Sequence, residues 1–167
     1  MEQSTTQKKY GAELEEEGMK LKKNCVDLLR SWYLSSSQKS STSNKVYCVP
    51  VRNATELYNA GMKFEKGSSY RLLDLKDATM KVLEIPQLIL SNWTEPLLRN
   101  LTALEQFCYP NDSYIIDYIY FMNYLIDTAE DADLLIQGGI FVNYLGDSIA
   151  VAPLFNNLSK EVVLYRQ

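Results

Sequence analysis

Histidine is absent from all 167 residues. That removes the commonest general base and the commonest metal ligand together, and any Ser-His-Asp or Cys-His nucleophile system with them. Cysteine is scarce: Cys25, Cys48 and Cys108 are widely spaced and form no CxxC pair. An odd, scattered set indicates neither a zinc site nor a disulfide framework, so each reads as a reduced, small buried hydrophobe in a cytosolic compartment. Gly-rich phosphate loops, a GxSxG elbow and HExxH-like patterns are all missing. The longest apolar stretch, Tyr114 to Ile126, carries Asp117 and Asn123 and falls short of the ~18–20 residues that span a bilayer. The first thirty residues hold no apolar signal-peptide core. These absences lead us to expect a soluble, cytoplasmic, non-enzymatic chain with no cofactor, no bound metal and no direct membrane span.

What is present is an ordinary globular composition with an uneven charge. Residues 1–83 hold 14 Lys or Arg against 10 Asp or Glu, and residues 84–167 hold 3 against 11. No basic residue lies between Arg99 and Lys160. Two readings follow. The halves complement each other within the fold, or Glu105, Asp112, Asp127, Glu130, Asp131, Asp133 and Asp147 form an acidic face that steers a basic protein partner. A net charge of −4 argues against nucleic acid, which needs clustered Lys and Arg. Five Asn-X-Ser/Thr sequons begin at Asn53, Asn92, Asn100, Asn111 and Asn157, and without an export signal they read as unmodified.

Along the chain, residues 1–9 read as disordered. Over 10–34, Leu14, Leu21, Cys25, Leu28, Leu29 and Trp32 recur at helical spacing and predict an amphipathic helix. A Ser-rich linker follows over 35–45, and residues 46–167 form the main domain. Asn53 or Thr55 caps a short helix ending near Gly61. Tyr70–Leu75 and Met80–Leu90 read as strands, with Pro86 making the second an edge or a bulge. Thr94 is the expected N-cap of the next helix, Trp93 and Leu98 its hydrophobic staple, and Leu97, Leu101, Leu104 and Cys108 its apolar stripe.

Asn111 or Asp112 opens a helix that is apolar on most sides. With Tyr114, Tyr118, Phe121 and Leu125 on one face it is the expected centre of the core, and Phe121 its expected fully buried anchor. An aromatic ligand box is the rival reading. Thr128-x-x-Asp131 is a capping box, and Gly138-Gly139 stops the helix that it starts. Glu130, Asp131 and Asp133 sit where a helix dipole favours carboxylates, and their spacing is not that of a calcium loop. Ile140–Leu145 reads as a short buried strand. A last helix presents Leu154, Phe155, Leu158, Val162 and Tyr165, provided it begins close to Pro153.

From about residue 53 the chain resembles the plant DUF247 family. The resemblance rests on Ala54-Thr55-Glu56-Leu57, Ala60-Gly61, Lys63-Phe64, Leu73-Asp74-Leu75, Val82-Leu83-Glu84-Ile85-Pro86, Asn100-Leu101 and Ala103-Leu104-Glu105-Gln106. It continues through Phe121-Met122, Leu125-Ile126, Asp131, Leu134-Leu135, Gly139-Ile140, Asn143, Leu145-Gly146 and Leu154-Phe155. It implies a helix-rich fold without established catalysis, in a family whose members end in a membrane anchor that this chain is expected to lack. Some members are linked to reproductive recognition, self-incompatibility or sex determination. The resulting expectation is an α+β, predominantly helical single domain with a small two-stranded β element. It would act as a regulatory or protein-interaction module that modulates full-length relatives. The rival expectations are a marginally folded truncated product and an enzyme of unknown type.

Overall fold

Capping chemistry sets the first boundary. The Asn53 side chain accepts the Glu56 backbone N–H at 2.9 Å and opens α1 (Ala54–Asn59), so Asn53 rather than Thr55 is the cap. The computed structural model describes residues 26, 28–31, 33, 52–69, 72, 75–77, 81–109 and 111–160. The expected disordered start, the Ser-rich linker, Cys25, Cys48, Val162 and Tyr165 lie outside them. Residues 26, 28–31 and 33 are helical, inside the helix expected over 10–34. The packed face differs from the expected stripe, however. Val26 and Tyr33 lie against the core, whereas Leu28 is 71% exposed and Leu29 also faces out. Arg30 shares the packed face by helical spacing, and its ion pair, described below, fixes which side turns inward.

The strands make two sheets. β1 (Lys63–Gly67) runs parallel to β3 (Val82–Pro86), and β2 (Lys76–Asp77) pairs antiparallel with β3 on its other side. β4 (Leu88–Leu90) runs parallel to β5 (Phe141–Asn143). The α+β, helix-dominated expectation holds, and the three-stranded sheet stands beside the small parallel pair. Three details change. Lys63–Gly67 is a strand that its charged residues concealed, since Phe64 points inward while Lys63, Glu65 and Lys66 face out. Leu72 is buried in a turn and Leu75 lies outside any strand, so the ladder begins only at Lys76. The stretch Met80–Leu90 divides at Gln87, and β3 is a central strand rather than an edge. Pro86 is tolerated there because it is the last residue of β3, beyond Leu83 and Glu84 where β2 pairs.

The crossover from β4 to β5 carries three helices: α2 (Thr94–Cys108), α3 (Tyr114–Leu125) and α4 (Ala129–Gln137). α2 starts differently from its sequence signal. The Thr94 hydroxyl donates to the Ile89 carbonyl at 3.0 Å and accepts the Ser91 N–H at 2.9 Å, so it closes the β4–α2 turn and does not cap the helix. Trp93 occupies the cap position without a side-chain bond and is 80% exposed, so it forms no staple with the buried Leu98. Leu101 and Leu104 are buried as expected, but Cys108 is exposed, because the last turn of α2 leaves the core.

α4 begins and ends as its sequence dictates. The Thr128–Asp131 capping box is complete, and Gly139 takes the left-handed φ of +71° that the helix stop requires. A Cβ on Gly138 would come within 2.8 Å of the Phe64 carbonyl, so this glycine lets α4 approach β1. After a short 3-10 turn (Ser148–Ala150), α5 (Val151–Lys160) begins two residues before Pro153, which therefore sits harmlessly in its first turn. Leu154, Phe155 and Leu158 of α5 are buried.

α3 is the centre of the core, with Ile115, Ile116, Tyr118, Ile119, Met122 and Leu125 buried, and it packs on α2 and α5. Phe121 is only partly buried against this core, so it is not the anchor that its stripe suggested. Tyr118 takes that place. Its hydroxyl is buried without a hydrogen-bond partner, and burial, with Tyr33 nearby, pushes its pKa far above the ordinary tyrosine value. Tyr118→Phe removes an unsatisfied polar atom and keeps the ring. We expect urea denaturation to show it neutral or more stable by about 1 kcal/mol; a clear loss of stability would reveal a hydroxyl contact.

Candidate functional site

Two of the acidic residues singled out from sequence are interior. Glu105 is fully buried on α2. Its Oε2 accepts the N–H groups of Ile115 (2.8 Å) and Ile116 (3.1 Å), in the first turn of α3. Ser113, at the cap position of α3, makes no side-chain bond to the helix. Glu105 thus satisfies from a neighbouring helix the free donors that a local cap would serve. Its Oε1 accepts Arg30 Nε at 3.1 Å, in an ion pair whose arginine side chain is 12% exposed. The Arg30 guanidinium also donates from Nη2 to the Asp112 carbonyl at 2.9 Å and lies 4.2 Å from the centroid of the Tyr109 ring. Burial pushes the Glu105 carboxyl above the usual range, against the opposing pull of the two N–H groups and Arg30.

Asp131 is the second interior carboxylate. Oδ1 accepts the Thr55 N–H at 2.7 Å and its hydroxyl at 2.6 Å. Oδ2 accepts the Asp127 N–H at 3.1 Å, and the Thr128 N–H and hydroxyl, each at 2.9 Å. One side chain thereby holds the start of α1 and the start of α4. Burial acts to raise its pKa, but the Thr55 and Thr128 donors outweigh it and hold the carboxyl below the ordinary Asp value. Both oxygens of each interior carboxylate are occupied, so these two residues organise the fold and leave the expected acidic face.

The remaining five, Asp112, Asp127, Glu130, Asp133 and Asp147, are exposed. Asp147 Oδ1 accepts the Ile149 N–H at 3.1 Å and caps the 3-10 turn. Among the described residues the other four carboxylates have no partner. The structure brings Asp133 and Asp147 together, on an open groove of about 500 Å³ completed by Ile136, Asn143, Gly146 and Ser148. Tyr144 and Ile149, next in sequence to residues lining that groove, are 71% and 65% exposed. Asp127 and Glu130 lie at the other end of α4, and Asp112 lies at the α2–α3 corner. Arg99, the cation that precedes the acidic stretch, is engaged by Glu95 on its own helix.

Sequence reasoning missed Arg30 and Tyr109. A signal existed, since Arg30 stands between Val26 and Tyr33 on one helical face, an arginine flanked by apolar neighbours one turn either side. Its carboxylate partner lies 75 residues away, a distance over which no periodicity operates.

A sequence profile for DUF247, described as a plant protein of unknown function, matches residues 1–167. The chain belongs to the DUF247 family. This DUF247 chain is 28% identical over 117 residues to a UPF0481 protein of Arabidopsis thaliana. The match takes in 70% of the chain but spans only 22% of that relative's length. No solved structure matches. The profile includes the N-terminal helical residues as well as the region from residue 53, so the Arg30–Glu105 pair lies wholly within the matched part. Among the described residues, no helix is long and apolar enough to cross a membrane.

Proposed function

We propose that this DUF247 chain is a non-enzymatic, cytoplasmic regulatory module that binds a basic segment of a longer family member. Regulation of reproductive recognition or sexual development is the setting that the family resemblance supports. One observation carries the reading: the groove flanked by Asp133 and Asp147 lies beside exposed Tyr144 and Ile149, in a stretch with no basic residue between Arg99 and Lys160. Paired carboxylates supply attraction and steering, and the exposed aromatic and aliphatic side chains supply area to bury on contact.

The test is co-purification of the tagged chain with a longer DUF247 protein across a salt series. Retention should fall between about 50 and 200 mM salt, as surface charges become screened. Asp133→Asn and Asp133→Lys should each lower retention with little change in melting temperature, since this side chain lines the groove, is exposed and has no partner among the described residues. Retention indifferent to salt and to both substitutions would sink the acidic-face reading.

A further inference from the structure

We propose that the outer face of α2 is the contact surface of a two-fold dimer of this chain, in which Trp93 of each copy packs on Phe107 of the other. The proposal goes beyond the acidic-face reading. It uses none of the exposed carboxylates and stands or falls without the groove at Asp133 and Asp147.

α2 packs on α3 and α5 through one side, where Leu98, Leu101, Thr102 and Glu105 are buried. Its other side carries Trp93, Pro96, Asn100, Ala103 and Phe107. At about 100° per residue these five fall within roughly 80° of one another, so they form a single stripe. Trp93 at 80% and Phe107 at 86% are the two most exposed large apolar side chains among the described residues, and they stand at its two ends. No charged residue lies on the stripe. Glu95 and Arg99, which flank it, are joined as an ion pair.

The stripe is self-complementary, and this selects a second copy as its occupant. Trp93 and Phe107 lie seven residues before and after Asn100, about 10 Å to either side along the helix axis. Two α2 helices laid antiparallel across Asn100 bring each Trp93 onto the partner's Phe107, and each Pro96 beside the partner's Ala103. Each contact then occurs twice, as a closed two-fold interface requires. The Asn100 amide holds both donors and an acceptor, so two copies meeting on the axis satisfy each other. Ala103 is small enough to let the helix axes close to ~8–10 Å. Charge agrees with this choice. Residues 84–167 hold 3 basic residues against 11 acidic, so two copies repel over much of that half and can approach at its neutral stripe. The area also suffices. Large aromatic side chains bury about 150–250 Å² each, so the four exposed rings of a pair supply roughly 500–800 Å². Pro96, Asn100 and Ala103 of both copies bring the total to about 1,000 Å², the lower bound for a specific interface.

The experiment follows the oligomeric state of the full chain by sedimentation equilibrium between about 1 and 500 μM, the range in which a contact of this size associates. The unmodified chain should pass from monomer to dimer. Trp93→Lys and Phe107→Glu should each raise the dimer dissociation constant about tenfold or more. Circular dichroism should stay unchanged, since both side chains are exposed. Mixed in equal amounts, the two variants should dimerise again. The new cation and the new anion then meet at one end of the contact, and the native rings meet at the other. Asn100→Cys should form a disulfide-linked dimer far faster than the unmodified chain under mild oxidation, because residues on the axis face each other within disulfide range. A chain that stays monomeric throughout, a dimer indifferent to both substitutions, or a mixture that dimerises no better than either variant alone would overturn the proposal.

Discussion

Replacing Asp131 with alanine should cost about 3–5 kcal/mol, because it strands several partly buried donors at once and each unsatisfied one costs ~1–3 kcal/mol. Five donors converge on this carboxylate from Thr55, Asp127 and Thr128. The substitution removes the acceptors that Asp131 lends to the starts of α1 and α4 together, while Asn53 still caps α1. Thr128→Ala removes only the local half of the arrangement and should cost about 0.5–2 kcal/mol, the ordinary worth of a cap. Urea denaturation of the two variants gives the comparison, and equal costs would show that the long-range link to Thr55 contributes nothing.

The same residue predicts an acid response whose sign is set by its pKa. The carboxyl of Asp131 is held below its ordinary value by the Thr55 and Thr128 donors, despite its burial. The ionised form therefore favours the folded state. Its contribution is complete above the unfolded pKa of about 3.9 and is lost as pH falls through the lower folded value. Glu105 acts in the opposite direction, since burial raises its pKa. Its contribution is present below the unfolded value of about 4.3 and is lost as pH rises through the folded value. Stability measured against pH should accordingly fall less steeply below pH ~4 in Asp131→Asn than in the unmodified chain. An unchanged slope would count against the assignment.

The two interior carboxylates show where sequence is legible and where it stops. The Thr128–Asp131 box spans three residues and was visible because capping is a local bargain between neighbours. The second half of Asp131's role, its bonds to Thr55, links residues 76 apart and leaves no periodic trace. Glu105 reads as a surface residue because it is charged and lies in an acidic stretch, yet the donors of α3 and Arg30 make its burial possible. Among the described helices, α2, α3 and α4 lie close to the limits that their sequence signals set. The parallel pairs β1–β3 and β4–β5 were not foreseen as pairs, since each joins segments separated by a crossover and each strand is short. The acidic stretch, continuous in sequence, is divided by the fold into an α2–α3 corner, the start of α4 and the groove at Asp133 and Asp147.

Phe155→Ala should match Asp131→Ala in size, at about 3–5 kcal/mol, the cost of removing a large aromatic ring from a core. Phe155 is fully buried on α5, and its ring stacks on Phe141 with centroids 6.0 Å apart and planes 22° from parallel. That contact ties α5 to β5, so its loss opens a space between a helix and the smaller sheet. Phe121→Ala should cost distinctly less, about 1–2 kcal/mol, because a partly exposed ring gives up only part of its burial. The pair separates two causes that composition alone cannot. Both residues are phenylalanines on apolar helical faces, and only the fold makes one a core anchor and the other a flank. Urea midpoints at an unchanged m-value would give both costs directly. A double-mutant cycle with Phe141→Ala should recover a coupling of about 0.5–1.5 kcal/mol for the stacked rings. Equal losses at positions 121 and 155 would mean that the outer face of α3 is covered in solution.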